Sequence, residues 1–159
     1  MQGTNQMNMT KWFETMKTQK VKKALPILSF PSVQLLNVSV KELNEKFAVI
    51  YHNCGNGTLK MVDAISKIGA MAYHFGNAID LSEMLKLFPS DCIVMGNIDP
   101  SSQFRNGSID SIKQATQDLL AKCSRYTSFV PSSGCDIPPM AKWDNIDTFF
   151  AAVDEHYKN

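Results

Sequence analysis

With 159 residues, 44% of them hydrophobic and 19% charged, the chain can bury one compact core and is too apolar for general disorder. Sixteen basic against fifteen acidic residues leave a formal net charge of +1, which excludes a global field that would draw in nucleic acid or an anionic membrane. Apolar runs such as Phe47 to Tyr51 fall far short of the roughly 20 residues that cross a bilayer. The opening MQGTNQMNMTKWFETMKTQKVKK lacks a signal peptide's apolar stretch, so a cytoplasmic location is expected.

Residues 1–8 are polar and expected to fray, and residues 9–159 are read as one domain. The pattern predicts a short helix from Thr10 to Gln19 with Trp12, Phe13 and Met16 on one side. Next comes Ala24-Leu-Pro-Ile-Leu-Ser-Phe30, whose internal proline suits a first or edge strand. Ser39-Val-Lys-Glu42 has the form of a capping box opening a brief helix.

From Phe47 onward, short apolar runs alternate with amphipathic segments, as in βα units of a parallel sheet. The predicted strands are Phe47–Tyr51, Ala70–His74, Cys92–Met95 and Ser128–Pro131, each apolar enough to be covered on both faces. The predicted helices follow in register. Thr58–Ile68 aligns Leu59, Val62, Ile65 and Ile68 and stops at Gly69. Leu81–Phe88 has Asp80 as N-cap and ends before Pro89. A third, capped by Ser108, runs to about Tyr126 with Ile109, Ile112, Thr116, Leu119 and Cys123 on its inner stripe. The last, Asn145–Tyr157, is expected to bury Ile146, Phe149, Phe150 and Val153.

The chemically versatile residues gather at the carboxyl ends of these strands, where parallel α/β proteins build their sites. The tips read His52-Asn-Cys54-Gly-Asn-Gly57, His74-Phe-Gly-Asn77, Gly96-Asn-Ile-Asp-Pro100 and Ser132-Ser-Gly-Cys-Asp136. His52 and Cys54, two apart at an extended strand end, turn to one face and can grip one ion, and the topology can bring Cys135 beside them. One imidazole and two thiolates favour zinc over magnesium or calcium and leave a fourth position open. A lone His-x-Cys is nonetheless a weak signal, and buried cysteines are commonly inert packing, so spacing alone leaves both readings open. Cys92, within a strand, and Cys123, on a helix stripe, read as core packing. His74 either faces the pocket or is simply hydrogen-bonded at a strand end. Asn97 and Asp99 either shape the pocket floor or serve as turn residues. His156 reads as a solvated helix residue.

The segments His52-Asn-Cys-Gly-Asn56, Gly96-Asn-Ile-Asp-Pro100 and Ser132-Ser-Gly-Cys-Asp-Ile-Pro138, in this order, resemble the methylcobamide:coenzyme M methyltransferase branch of the uroporphyrinogen decarboxylase superfamily. The likeness runs from His52 to near Tyr157 and includes Asn145. It implies a (β/α)8 TIM barrel whose zinc is held by His52, Cys54 and Cys135. The implied reaction moves a methyl group from methylcobalamin or another methylcorrinoid to a zinc-bound small thiol, with a corrinoid protein as the partner. Asn56, His74, Asn97, Asp99 and Asp136 are the implied pocket candidates. The decarboxylase branch relies on acidic and basic residues near its N-terminal strands, for which this chain offers no convincing match.

Met9-Thr-Lys-Trp through Pro26-Ile-Leu to Val38-Ser-Val-Lys-Glu42 resembles the family's opening helix, first strand and following segment. Between Asn44 and Phe47 a long stretch of the family pattern is missing. A complete barrel takes about 250 residues. The expectation is therefore a shortened barrel of about five parallel strands, the first strand joined to the last four βα units. Open strand edges and an uncovered inner face would favour a homodimer or higher oligomer. A zinc-binding protein without turnover and a fragment of a disrupted gene are the alternatives to a short working enzyme.

Overall fold

The computed structural model describes residues 48–158. The expected fraying of residues 1–8, the helix over 10–19, the strand over 24–30 and the capping box over 39–42 all lie outside the described residues.

Among the described residues, four strands form one parallel sheet: β1 (Ile50–Asn53), β2 (Ala72–Phe75), β3 (Ile93–Ile98) and β4 (Phe129–Ser133), in the order β1-β2-β3-β4. Consecutive parallel neighbours, each joined through a helical connection, are the arrangement of a stretch of (β/α) barrel wall. Each strand begins and ends a little later than the apolar runs suggest, so the sheet carries His52, Asn97 and Ser133 within it. Among the described residues, none forms a helix long and apolar enough to cross a membrane.

The connection after β1 departs from the expected single helix. It is a 3₁₀ turn (Thr58–Met61), one α-helical turn α1 (Val62–Ile65) and a second 3₁₀ turn (Ser66–Ile68). The apolar residues Leu59, Val62, Ile65 and Ile68 recur strictly every three positions, the 3₁₀ period rather than the α-helical one. Gly69 ends the segment with φ 73°, a left-handed conformation that glycine adopts without steric cost.

The other helices fall where their caps place them. α2 (Leu81–Leu87) starts at Asp80, whose carboxylate accepts from the Ser82 backbone N–H at 2.8 Å and from the Ser82 hydroxyl at 2.7 Å. That hydrogen bonding holds the Asp80 carboxyl below the usual carboxylate range. α2 stops at Phe88, extended because Pro89 follows. α3 (Ile109–Cys123) opens on a reciprocal box in which Ser108 and Ser111 each accept from the other's backbone N–H at 3.1 Å. α4 (Trp143–Lys158) ends the described chain. A π-helical turn, Pro100–Arg105, follows β3.

Tyr73, Phe75, Val94, Ile98 and Phe129 point from the sheet into a core shared with Ile65, Met84, Leu85, Ile112 and Leu120 of the connections. Tyr73 and Phe88 rings lie 4.6 Å apart, and Phe104 meets Phe149 at 5.4 Å. Cys123 is fully buried here, and Cys92 packs partly buried against it. Two expected core residues lie outward instead, Ile109 at 51% exposure and Phe150 at 53%, because each occupies the flank of its helix rather than the stripe facing the sheet.

Asn145 joins the last helix to the turn after β3. Its buried amide donates to the carbonyls of Gln103, Phe104 and Gly107 at 3.0, 3.1 and 3.0 Å. The Phe104 and Gly107 carbonyls also accept from the Lys142 backbone N–H and ammonium, at 3.2 and 3.0 Å, so Lys142 and Asn145 together satisfy the turn.

The second face of the sheet carries Ile50, His52, His74, Ile93, Met95, Asn97, Val130 and Ser132. Expected to be covered like the first, it is only half-buried among the described residues, and Ile50 is 44% exposed. The register sets His52 beside His74, His74 beside Met95 and Met95 beside Val130 in one row across it.

Candidate metal centre

Three strand tips meet at the carboxyl end of the sheet. His52 lies in β1, while Cys54 lies one residue past its end, so the loop and not strand alternation sets its direction. Asn53 shapes that loop. Its carbonyl oxygen Oδ1 accepts from Gly55 N–H at 2.8 Å and from the Thr58 hydroxyl at 3.0 Å, while its Nδ2 donates to Tyr51 Oη at 2.9 Å. Cys135 lies two residues past β4, where the Ser133 hydroxyl donates to its carbonyl at 2.8 Å.

The outcome is a cluster in which one ligand atom each of His52, Cys54 and Cys135 lies within 4.8 Å of the others. His52 Nε2 stands 3.6 Å from Cys135 Sγ. A tetrahedral zinc ion with Zn–S near 2.3 Å and Zn–N near 2.0–2.1 Å requires an N···S separation of about 3.6 Å and an S···S separation of about 3.8 Å. The donors thus fit such an ion after small side-chain rotations. Cys54 is exposed and Cys135 half-buried, which leaves the solvent side free for a fourth ligand.

Burial, and next the neighbouring His74, lower the His52 pKa from its ordinary value of 6.5, against the smaller opposing pulls of the His74 backbone and Asp136. The imidazole is therefore neutral at neutral pH, as a metal ligand must be. Its Nδ1 is buried with no hydrogen-bond partner. With Nε2 turned toward the thiols, Nδ1 is the atom that would keep the ring proton.

His74 stacks on His52 with ring centroids 4.7 Å apart, and its Nε2 pairs with the Ser133 carbonyl at 2.6 Å. It thus meets both descriptions the sequence allowed, facing the cluster while hydrogen-bonded at a strand end. Asn97 donates from Nδ2 to the carbonyls of Gly76 and Ile79 at 3.1 and 2.8 Å, holding the loop after β2. Asp99 caps the π-helical turn by accepting from Ser101 and Ser102 N–H at 2.8 and 3.0 Å. Asn56 and Asp136 are exposed beside the cluster.

Two glycines, absent from the sequence-derived site, let the tips approach. A Cβ on buried Gly76 would stand 2.6 Å from both Cα and Cβ of Cys54 and 3.3 Å from the Gly134 carbonyl. One on Gly134 would stand 2.7 Å from the Asn77 backbone nitrogen. Each tip therefore needs hydrogen where another residue carries a methyl group. The visible signal was a glycine beside each ligating or stacking residue, at His74-Phe-Gly76 and Gly134-Cys135.

Four parallel strands in consecutive order with a thiolate-rich cluster at their carboxyl ends define a piece of a (β/α) barrel with its site at the usual end. The family model described as uroporphyrinogen decarboxylase (URO-D) matches residues 9–156, and the chain belongs to that family. The family has a TIM-barrel fold, of which this chain covers a part. Among solved structures, the chain is similar to a methyltransferase from Methanosarcina mazei, with a TM-score of 0.66 and 21% identity. The match covers 80% of this chain and 35% of that one, so the chain spans about a third of that protein's length. No curated protein sequence matches the chain.

Proposed function

We propose that the chain is a zinc-binding, methyltransferase-like protein, with His52 Nε2, Cys54 Sγ and Cys135 Sγ as the metal donors. The observation that carries this reading is the convergence of those three atoms to within 4.8 Å, from tips far apart in sequence. Two thiolates and one imidazole select zinc among the abundant divalent ions. When bound, zinc supplies a Lewis acid that lowers the pKa of a thiol at the open position. The proposed reaction is methyl transfer from a methylated corrinoid to that small thiol, with a corrinoid protein as donor partner.

The chain's own residues have distinct tasks in this scheme. His52 gives a neutral nitrogen donor, and Cys54 and Cys135 bring negative charge that balances the cation. His74 fixes the β2 and β4 tips to each other through Ser133. Asn97 secures the Gly76 loop beneath Cys54. Neither cysteine needs to become a methyl acceptor.

A second reading, zinc binding without turnover, is favoured by the half-exposed inner face and by a match that spans only about a third of the solved methyltransferase's length. β1 and β4 each have one edge unpaired among the described residues. We propose that a second copy covers these edges and completes the pocket wall. Uroporphyrinogen decarboxylation is a third reading, one that gives the thiolates no task.

Zinc analysis of the purified chain tests the site, with one equivalent expected and its loss on Cys135→Ser. Demethylation of methylcobalamin in the presence of a thiol, followed by absorbance, separates the first reading from the second. Light scattering showing only monomer at micromolar concentration would remove the pairing.

A further inference from the structure

We infer that Cys54 and Cys135 are a redox-active dithiol that closes to an intramolecular disulfide under a hydroperoxide. The sulfurs lie within 4.8 Å, against about 2.05 Å in a disulfide. Cys54 sits in the loop beyond β1 and is exposed, so rotation about its side-chain bonds can bring its sulfur nearer. The backbones are already close. The position next to Gly76 that lies 2.6 Å from Cys54 Cα also lies 3.3 Å from the carbonyl that precedes Cys135. Cys54 and the residue preceding Cys135 therefore run side by side at the cluster.

The two remaining cysteines lack these features. Cys123 is completely buried, and burial pushes its thiol up to about 11. Cys92 is half-buried, with its thiol raised by burial and then by Asp91, whose carboxylate it meets at 3.8 Å. Neither is exposed to a peroxide in solution as Cys54 is.

The chemistry proceeds in two balanced steps. The exposed Cys54 sulfur attacks the peroxide oxygen, the O–O bond breaks, and an alcohol or water leaves with Cys54 as sulfenic acid. The Cys135 sulfur then attacks that sulfur and displaces its hydroxyl, which departs as water with the Cys135 proton. Two thiols lose two electrons to one O–O bond, and no further reductant or oxidant is required. A thiol reductant reverses the change by exchange.

For metal the consequence is release, since a disulfide offers no thiolate and leaves His52 alone. This consequence rests on the zinc reading, whereas disulfide formation does not.

The test treats the full-length protein with hydrogen peroxide, first metal-free and then zinc-loaded, and maps the cysteines by peptide mass spectrometry without reduction. The expected product is a Cys54–Cys135 crosslink, with Cys92 and Cys123 still alkylatable. In the zinc-loaded sample, a metallochromic dye should report one ion freed per crosslink, and dithiothreitol should restore binding. The same crosslink is expected in Cys92→Ser and in Cys123→Ser. A crosslink involving Cys92 or Cys123, a sulfinic Cys54 beside a free Cys135, or no oxidation of either thiol would overturn the inference. If wild type takes up no zinc yet forms the crosslink, the zinc reading fails and the dithiol stands.

Discussion

The two faces and ends of the sheet obey different rules. On the helix-covered side, aromatic and aliphatic groups from β2, β3 and β4 interlock with the helices, and the buried Asn145 amide has three acceptors. At the carboxyl tips, His52 Nδ1 is buried without a partner, one thiol is exposed, and backbones touch where glycines permit it. Groups that only support the fold are satisfied in place. At the tips, three metal-ligating atoms converge instead with one side open to solvent, which is what a ligand needs.

Substitutions on either side should separate these roles. Phe104→Ala, at a site 1% exposed and packed on Phe149, should cost about 3–5 kcal/mol in urea unfolding. Residual metal binding should then track the folded fraction. Cys135→Ser should weaken zinc binding by over a hundredfold, about 3 kcal/mol, in competition with a chromogenic chelator, while leaving the metal-free unfolding midpoint nearly unchanged. A large loss of metal-free stability would break the division between the two regions.

Gly76→Ala sharpens the contrast, because it removes no ligand. The added methyl group must displace the Cys54 backbone, and zinc affinity should fall by about 10–100-fold, the usual scale for a perturbed supporting shell. Gly57→Ala, where a Cβ meets nothing within 4 Å, should leave affinity unchanged.

The smallest effect concerns pH. The folded pKa of His52 lies below 6.5, so between those two values the unfolded chain binds more protons than the folded one. The metal-free protein should therefore lose stability as pH falls from 6.5 toward the folded pKa, with no His52 contribution to the slope above that window. Unfolding midpoints on either side of pH 6.5 measure this, and His52→Asn should flatten the profile there.

Much of this arrangement was legible in the residues. Asp80 and Ser108 announced two helix starts through their capping chemistry, and four apolar runs announced four parallel strands. His52, Cys54 and Cys135 could be picked out as residues that share a sheet end. The broken segment over 58–68 differs from the single helix its pattern suggests because a three-residue apolar spacing suits 3₁₀ turns as well as an α-helical stripe. The roles of Gly76 and Gly134 are not legible in the sequence because they depend on distances between tips, which no single segment encodes. Phe150 and Ile109 were placed inward because hydrophobicity gives a helix its stripe but not the stripe's width.

His52 and Cys135 meet across 83 positions of sequence. Local segments can close early in folding, but a pair so distant forms only when the intervening strands have found their order, with the loop-closure entropy that this entails. Metal uptake by a refolding chain would therefore mark the end of the process, and a thiolate-to-cobalt absorption band could serve as its clock.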